Sequence, residues 1–435
     1  MLCTQTANDR AMRLAAKLGF TEVERFEEYG AEQWFGVWVL GHPIRGRGPL
    51  APTTRSCARI CPWCESFDVS WRGCLIVASV ASCGRVVAPG ASEATRNAPP
   101  SPVVVNKGVE PRMRYRELGR TGLTVSEIGY GAWGLGQGAW VGADDESGVR
   151  ALRRAVELGV NFIDTARAYD RSERVVGRAL SELPGHGDDV HVATKVGPKV
   201  PVSLASSGLH PAEVFPGSHL RESLETSLRE LGRDHVDLLQ LHTWEDDWTG
   251  RGDWLETVDA LKQEGKIRFF GISVKDHQPE NVLAVLRTGV LDVVQVIYNI
   301  FEQAPCDALL PACEEHGVGV IGRVALDEGA LTGSIRAGVS FPEGDWRNWY
   351  FRDDRPAQVE ERVEALLADL GIGVAELAST ALRFALAGQA VATVIVGMRS
   401  LANVERNAAV SDAPPLTAEE LALLAKHRWP KNFYG

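Results

Sequence analysis

The stretch Asn161-Phe162-Ile163-Asp164 is a short apolar run that ends in a carboxylate, and two later runs share this design. Residues 190–195 end in the amine of Lys195, and residues 236–242 end in the imidazole of His242. Short apolar runs that alternate with amphipathic stretches are typical of parallel strands in βα repeats. The C-terminal ends of such strands meet at one mouth of a (β/α)8 barrel, where these barrels carry their active sites.

Tyr169 follows the first run by five residues, so four polar groups are expected at that mouth. A carboxylate, a phenol, an amine and an imidazole together suit proton transfer to a carbonyl oxygen. Each residue alone has a structural explanation: Asp164 as a loop cap, Tyr169 as a rim aromatic, Lys195 as an ion-pair partner and His242 as a core histidine. Their occurrence in order on three successive strand ends favours a catalytic site over those separate explanations.

The rest of the chain from residue 113 has the alternating pattern that the barrel requires. Eight short apolar runs are candidate strands: 128–131, 161–164, 190–195, 236–242, 267–273, 293–298, 317–321 and 393–397. Amphipathic stretches between them predict helices, among them 145–158, 218–231, 254–264 and 375–386. The turn sequence Gly119-Arg120-Thr121-Gly122 predicts a short hairpin before the barrel. The predicted fold class is therefore α/β, a (β/α)8 TIM barrel with an N-terminal hairpin.

The composition is that of a globular protein, and it excludes some classes of function. The chain has 435 residues, of which 45% are hydrophobic and 24% charged, with a formal net charge of −11. A general nucleic-acid binder would usually carry a basic face instead. No apolar run approaches the roughly 20 residues that cross a bilayer, and the first 20 residues lack a signal-peptide core. These features predict a cytoplasmic protein with no nucleic-acid or membrane partner.

The 112 residues upstream of the barrel differ from it in composition. Residues 1–40 suggest a helix at 11–18 followed by strands at 23–26 and 34–39. Residues 41–112 contain nine of the 22 prolines and five of the eight cysteines, and they predict a disordered linker. The sequence Asn8-Asp9-Arg10-Ala11-Met12-Arg13-Leu14 with Lys17-Leu18-Gly19-Phe20 resembles the C-terminal end of GNAT-type N-acetyltransferases. The glycine-rich loop that holds acetyl-CoA in that family is absent upstream of it.

Three cysteines in the linker have spacing that occurs in metal sites. Cys57-x3-Cys61-x2-Cys64 is similar to the cluster loop of radical SAM enzymes, and thiolates at such spacing hold iron–sulfur clusters or zinc. The barrel that should follow that loop does not follow here, and the flanking sequence has no periodic pattern. The sequence therefore predicts no metal site.

The segment 113–435 resembles the aldo-keto reductases. The matching sequences are Met113-Arg114-Tyr115-Arg116-x-Leu118-Gly119, Gly159-Val160-Asn161-Phe162-Ile163-Asp164-Thr165-Ala166, Tyr169-x2-Ser172-Glu173-x3-Gly177, Gly271-Ile272-Ser273, Gln295-x2-Tyr298-Asn299 and Gly397-x-Arg399. The first of them is how many bacterial members begin, so the resemblance suggests Met113 as the native start.

The resemblance implies reduction of an aldehyde or ketone to an alcohol by hydride from NADPH, with NADH as the alternative cofactor. Tyr169 would be the general acid, Lys195 would stabilise its phenolate, Asp164 would orient Lys195, and His242 would bond the substrate oxygen. The implied cofactor-binding residues are Ser273, Gln295, Tyr298, Asn299, Gly329, Leu331, Gly397, Arg399 and Asn407. Tyr298 would stack on the nicotinamide ring, and Arg399 would contact the 2′-phosphate that distinguishes NADPH.

Several positions depart from the family pattern. Asp170 replaces the usual glycine after the tyrosine, and Asp327 and Glu328 place acids in the loop expected near the cofactor phosphates. The apolar substrate wall is expected to include Trp133, Trp140 and Trp244. A long stretch at 336–358, rich in aromatic residues, is expected to be a mobile lid.

Two other functions stay open at this stage. Potassium-channel β subunits resemble this family and use the barrel as a cofactor-sensing partner. The alternative for this chain is therefore a cofactor-binding regulatory module of the same fold without significant turnover. A fusion of an acetyltransferase with a reductase is the other alternative, and the missing acetyl-CoA loop counts against it.

Overall fold

A computed structural model of the chain describes residues 112–434, apart from 143, 184, 186, 188 and 202–207, and three strands upstream of them. Strands β1 (Leu2–Gln5), β2 (Thr21–Glu28) and β3 (Ala31–Val37) form an antiparallel sheet in the order β1-β3-β2. The last two overlap the strands predicted at 23–26 and 34–39. The predicted helix at 11–18 and the predicted linker up to residue 111, with its cysteines, lie outside the described residues. The acetyltransferase resemblance therefore stays a prediction.

Eight parallel strands close into a barrel in chain order, which confirms the predicted fold class. All eight predicted strands are present, with ends shifted by at most two residues. They are β6 (Ile128–Gly131), β7 (Phe162–Asp164), β8 (His191–Val196), β9 (Val236–Leu241), β10 (Ile267–Ser273), β11 (Val293–Ile297), β12 (Gly319–Arg323) and β13 (Val391–Gly397).

Helices follow the strands and surround the barrel. In chain order they are α1 (Asp145–Glu157), α2 (Ser172–Ser181), α3 (Pro211–Val214), α4 (Gly217–Leu231), α5 (Trp254–Gln263), α6 (Leu283–Arg287), α7 (Leu309–His316), α8 (Arg347–Tyr350), α9 (Arg355–Leu370), α10 (Val374–Ala385), α11 (Leu401–Ala408) and α12 (Ala418–Ala425). Helix α1 shows why they form. The Asp144 side chain accepts a hydrogen bond from the Ser147 amide, and Val149 and Leu152 are buried one turn apart.

The predicted hairpin seals the N-terminal end of the barrel. Strands β4 (Tyr115–Glu117) and β5 (Thr124–Ser126) pair antiparallel around a turn in which Gly122 has a φ of 71°. Its side chains Leu118, Leu123 and Val125 are buried in a second core together with inward-facing strand residues such as Phe162. The site at the other end of the barrel is therefore closed from below by apolar packing.

Alternation along each strand separates the interior of the barrel from the layer under the helices. On β11, Val293 belongs to the inner core, whereas Val294 and Val296 belong to the larger core beneath the helices. A residue two positions after Val293, such as Gln295, therefore points into the barrel. A residue one position after Val293 or Gln295 points outward, toward the helices. This alternation decides which of the predicted site residues reach the mouth of the barrel.

The segment predicted as a lid packs beside the mouth through aromatic rings. It contains the short helix α8, and the Trp346 amide donates to the Ala139 carbonyl at 2.9 Å. The Trp346 ring lies 5.0 Å from the Trp133 ring and stacks on Tyr434 at 5.8 Å between centroids. An ordered aromatic cluster thus joins this segment to the C-terminal end of the chain.

The last residues of the chain are tied to the loop after β12 by a buried ion pair. The Lys431 ammonium lies 2.8 Å from the Asp327 carboxylate, and the two side chains are 6% and 2% exposed. Tyr434 donates a hydrogen bond to Glu328 in the same loop. The C-terminal residues therefore fix the conformation of a loop at the barrel mouth.

In the part of the chain described here, no single helix is long and apolar enough to span a membrane. Helices α9 and α10 pass that length and composition test only as a pair, and the pair is bent by 86°.

We expect Lys431→Met to destabilise the barrel by about 3 kcal/mol, because it leaves the Asp327 charge buried without its partner. Urea unfolding followed by circular dichroism measures this free energy. Arg221→Met is the matched control, since the Arg221–Glu264 pair is at least 35% exposed on both sides and should cost less than about 1 kcal/mol. Equal losses in the two variants would show that the Lys431 pair contributes no more than a surface pair.

Candidate active site

A cleft of about 810 Å³ opens at the C-terminal ends of the barrel strands. This volume is within the range of small-molecule and cofactor sites. Most of the residues predicted from sequence line it: Trp133, Trp140, Asp164, Tyr169, His242, Ser273, Gln295, Gly329, Gly397 and Arg399. Lys195 lies directly behind them. The sequence prediction of a single polar mouth therefore matches the geometry.

The centre of the site is a buried ion pair between the ends of β8 and β7. The Lys195 ammonium lies 2.5 Å from the Asp164 carboxylate, and the side chains are 0% and 2% exposed. The ammonium also donates to the Thr165 carbonyl at 2.9 Å. Both charges are removed from water, so each of them requires hydrogen-bonding or ionic partners within the protein. These partners fix the position of the Lys195 amine.

Two glutamines complete the surroundings of Asp164. Gln295 Nε2 donates to Asp164 Oδ1 at 2.8 Å, and Gln240 Nε2 approaches the same oxygen at 3.3 Å. Gln295 was predicted as a cofactor residue, and it also holds the carboxylate. Gln240 was not predicted, although an amide two residues before His242 in an apolar run is a signal for an inward-facing polar partner.

Tyr169 places its hydroxyl between the amine and the imidazole. The oxygen lies 3.5 Å from Lys195 Nζ and 3.4 Å from His242 Nε2. Burial raises the pKa of the Tyr169 phenol above its ordinary value, and the Lys195 charge opposes that rise. The site therefore holds a protonated phenol whose conjugate base would be stabilised by a neighbouring cation.

His242 is held as a neutral imidazole. Burial and the charge of Lys195 lower the pKa of His242 well below its ordinary value. Its backbone amide donates to the carbonyl of Val196, the last residue of β8, at 2.9 Å. A neutral ring with Nε2 facing the Tyr169 hydroxyl can share a hydrogen bond with an oxygen placed there, but it does not supply a positive charge.

The turn that carries Tyr169 explains one departure from the family pattern. Asp170 has a φ of 47°, in the left-handed region that favours glycine. Aspartate is among the few other residues that adopt this region at modest cost. Gly136 packs against the same turn, where an added Cβ would lie 2.0 Å from the Tyr169 carbonyl oxygen. These two backbone features set the position of the phenol.

Five of the predicted cofactor residues line the cleft, and they fit a long anionic ligand. An added Cβ at Gly329 or Gly397 would meet nothing within 4 Å, so both backbones border open space. Ser273 and Gln295 provide polar side chains at the ends of β10 and β11. Arg399 bonds the Val141 carbonyl at 3.2 Å and lies over the Trp140 ring at 5.4 Å. A guanidinium at one end of a glycine-bordered cleft suits phosphate oxygens.

The structure corrects the prediction for Tyr298. Its ring lies 5.5 Å from the Phe384 ring of α10, and its hydroxyl contacts Cys306 at 3.4 Å. Gln295 points into the barrel, so Tyr298, three residues later, points to the helix layer. Tyr298 is therefore a core residue and does not border the cleft.

Three other predicted cofactor residues also lie off the cleft surface. Asn299 is fully buried and bonds the Val324 carbonyl at 2.9 Å, so it holds the loop after β12. Leu331 is a core residue. Asn407 lies one helical turn beyond Asn403, and Asn403 lines the cleft instead. The cofactor role of Asn407 stays a prediction, while the structure places Asn403 of the same helix at the cleft.

The aromatic wall is formed by two of the three predicted tryptophans. The Trp133 ring lies 6.1 Å from the Tyr169 ring and 5.6 Å from Trp140. Trp244 is fully buried under the helices, with its ring 5.2 Å from Trp254, so its assignment to the substrate wall is corrected. Trp346, from the segment predicted as a lid, packs behind the wall.

Arg323 lines the cleft and was missed by the sequence prediction, whereas Glu328, which was expected only as an acid in the loop near the cofactor phosphates, also lines it. Arg323 ends β12 at the mouth, and its guanidinium pairs with Asp276 at 2.5 Å. Burial raises the pKa of Glu328 to about 7. Arg323 lies two residues beyond the end of the predicted strand 317–321, and only the observed strand β12 extends to it.

No group of three or more histidine, cysteine, aspartate or glutamate side chains is arranged to hold a metal ion in the part of the chain that is described. Cys57, Cys61 and Cys64 lie outside that part.

Comparisons with known proteins agree on one family. The model of the aldo/keto reductase family matches residues 127–428. The uncharacterized oxidoreductase YqkF of Bacillus subtilis (strain 168) is 30% identical over 321 residues, covering 72% of this chain and 96% of that protein. The NADH-specific methylglyoxal reductase of Escherichia coli (strain K12) is 33% identical over 240 residues, covering 51% of this chain and 70% of that protein.

A solved structure has the same fold. The holo form of aldo-keto reductase AKR11C1 from Bacillus halodurans superposes with a TM-score of 0.57 at 30% identity, covering 73% of this chain and 97% of that one. The chain therefore belongs to the aldo/keto reductase family, a family of oxidoreductases that use nicotinamide cofactors.

Proposed function

We propose that this protein reduces an aldehyde or ketone to an alcohol, with Tyr169 as the proton donor. The observation that carries the proposal is the position of the Tyr169 hydroxyl, 3.5 Å from a buried ammonium and 3.4 Å from a neutral imidazole. A carbonyl oxygen placed beside that hydroxyl would meet a proton donor and a hydrogen-bonding ring at once. A bound reduced nicotinamide would supply the hydride to the carbonyl carbon.

Four residues have separate roles in the transfer of one proton. Tyr169 gives its proton to the carbonyl oxygen and becomes a phenolate, which the Lys195 charge stabilises. Asp164 keeps Lys195 charged and fixed at 2.5 Å. His242 orients the substrate oxygen, and because it is neutral it does not compete as a proton donor. In the reverse direction the phenolate accepts the proton of an alcohol.

NADPH is the proposed cofactor, with NADH as the alternative. Arg399 supports this preference, because it lines the cleft and its guanidinium donates to a backbone carbonyl, that of Val141. A guanidinium in that position would attract the 2′-phosphate that NADH lacks. Against it, Glu328 lines the same cleft, and burial raises its pKa to about 7, so it is partly ionised at neutral pH. The proposed compartment is the cytoplasm, and the proposed partner is a small carbonyl compound that enters beside Trp133 and Trp140.

We expect Tyr169→Phe to lower the rate of aldehyde reduction by roughly 100-fold or more, because it removes the hydroxyl that donates the proton while keeping the ring. NADPH oxidation against a panel of aromatic and aliphatic aldehydes measures the rate. Tyr115→Phe is the control, since Tyr115 is 46% exposed and bonds only the Gly159 carbonyl in the described structure.

The binding of NADPH by Tyr169→Phe should stay within about threefold of the parent. Turnover that survives in Tyr169→Phe would remove Tyr169 as the acid. Tight NADPH binding by the parent with no turnover on any aldehyde would favour the regulatory module instead.

Arg399→Met should weaken NADPH binding by roughly 10-fold to 100-fold and leave NADH binding nearly unchanged, because one charged hydrogen-bonding group is lost. Quenching of tryptophan fluorescence on cofactor addition measures both dissociation constants. Arg383→Met, on the outer helix α10, is the matched control. Equal weakening of NADPH binding and NADH binding would mean that Arg399 supports the shape of the cleft but does not contact the 2′-phosphate.

A further inference from the structure

Arg323 is a second, mostly buried cation at the active-site mouth, and the family resemblance implies no role for it. It is the last residue of β12, with a side chain 17% exposed. Its Nη2 donates to the Val274 carbonyl at 3.0 Å and to Asp276 Oδ1 at 2.5 Å. These contacts come from the loop after β10, so the guanidinium is held between two strand ends that border the cleft.

One donor of this guanidinium has no partner. Arg323 Nε is buried and makes no hydrogen bond to the described residues. A buried N–H without an acceptor costs free energy, and such groups in native structures usually have a functional explanation. The hydrogen bonds of the Arg323 guanidinium are incomplete in this position. Its positive charge, or contact with a ligand, is therefore the better explanation for an arginine here.

The two cations near Tyr169 are compensated unequally. Asp164 neutralises Lys195 from a position that is 2% exposed, so both charges of that pair act through a dry interior. Asp276 neutralises Arg323 from a position that is 40% exposed, where water screens the carboxylate. The positive charge of Arg323 is therefore less fully cancelled toward the interior than that of Lys195.

Arg323 lines the same cleft as Tyr169 and His242, and its charge acts on both of these groups. Arg323 contributes to lowering the pKa of His242, after burial and Lys195. It also opposes the rise that burial causes in the pKa of Tyr169. Burial disfavours the charge on Arg323 itself, but the Asp276 carboxylate keeps the pKa of the guanidinium above its ordinary value.

We propose that Arg323 is a positioning residue for the proton transfer, a buried cation that favours negative charge on the Tyr169 oxygen together with Lys195. This inference rests on the proposed function, because it assigns Arg323 a part in the same reaction. When Tyr169 gives its proton to the carbonyl oxygen, the charges of both Lys195 and Arg323 favour the phenolate that is left behind. When the phenolate accepts the proton of an alcohol in reverse, the same charge keeps it available as a base.

Other ionisable groups lie close to Tyr169 and Arg323. Their titration must be distinguished from the effect of the Arg323 charge on Tyr169. Tyr169 is faced by Lys195, Asp164 and His242. Arg323 is faced by Asp276, Glu328 and Tyr434. Burial raises the pKa of Glu328 to about 7, so its titration falls near neutrality. The effect of Arg323 on Tyr169 is therefore read from the alkaline side of the pH profile.

The test compares Arg323→Met, Arg323→Lys and Asp276→Asn with the parent. The first readout is the pH profile of kcat/KM for aldehyde reduction, which falls where Tyr169 loses its proton. The second is the ultraviolet absorbance of tyrosinate in the protein without cofactor, taken as the difference between each protein and the same protein with Tyr169→Phe. The second readout requires no turnover, so it can fail or succeed independently of the proposed function.

Arg323→Met should move the alkaline limb and the tyrosinate titration to higher pH, and should slow alcohol oxidation at neutral pH by about ten-fold, the scale of one neighbouring charge. Arg323→Lys should leave the alkaline limb and the tyrosinate titration close to their positions in the parent protein. Asp276→Asn should move both to lower pH, because the cation stays and its counter-charge is lost.

Opposite shifts for Arg323→Met and Asp276→Asn would distinguish an electrostatic role from a structural one. A merely structural role would lower activity in both variants without moving the titration. If Arg323→Met does not fold, Asp276→Asn alone decides the direction. An unmoved tyrosinate titration in Asp276→Asn, or a shift to higher pH, would overturn the proposal.

Discussion

The buried ion pair of Lys195 and Asp164 is the constraint on which the site depends. Moving either charge out of water costs several kcal/mol, and the pair offsets this only with excellent geometry and additional hydrogen bonds. The structure provides them: the Thr165 carbonyl accepts from Lys195, and two glutamines donate to Asp164. Each partner comes from a different strand end of the closed barrel. The barrel therefore fixes the ammonium 3.5 Å from the Tyr169 hydroxyl, and in the proposed reaction this ammonium stabilises the phenolate.

The strand pattern made the fold and the central residues predictable. Apolar runs with polar final residues placed Asp164, Lys195 and His242 at one mouth, and closure of the barrel brings them together. Tyr169 was predicted only through its spacing and the family resemblance, since it lies on a turn and not on a strand. The left-handed backbone of Asp170 shows why glycine is the usual residue there, and this was not visible in the sequence.

The predictions that failed concern side-chain direction beyond the strand ends. Trp244 lies two residues past His242, and its ring turns away from the cleft to pack 5.6 Å from Trp248. Tyr298 lies one residue past β11 on the outward-facing register. Such directions depend on packing against helices that are distant in sequence, so a local pattern does not contain them. Arg323 was missed for another reason: the predicted strand ended at residue 321, two residues before the observed end of β12, and the resemblance implied no role for this arginine.

The central claim is that Lys195 makes Tyr169 an effective proton donor for carbonyl reduction. The direct measurement is single-turnover reduction of an aldehyde with deuterium-labelled NADPH, for the parent and for Lys195→Met, with the alcohol analysed by mass spectrometry. We predict deuterium on the carbinol carbon in the parent. The variant should bind NADPH but form the same product at least roughly 100-fold more slowly. Equal rates in the two proteins, or no labelled alcohol from the parent, would contradict the account.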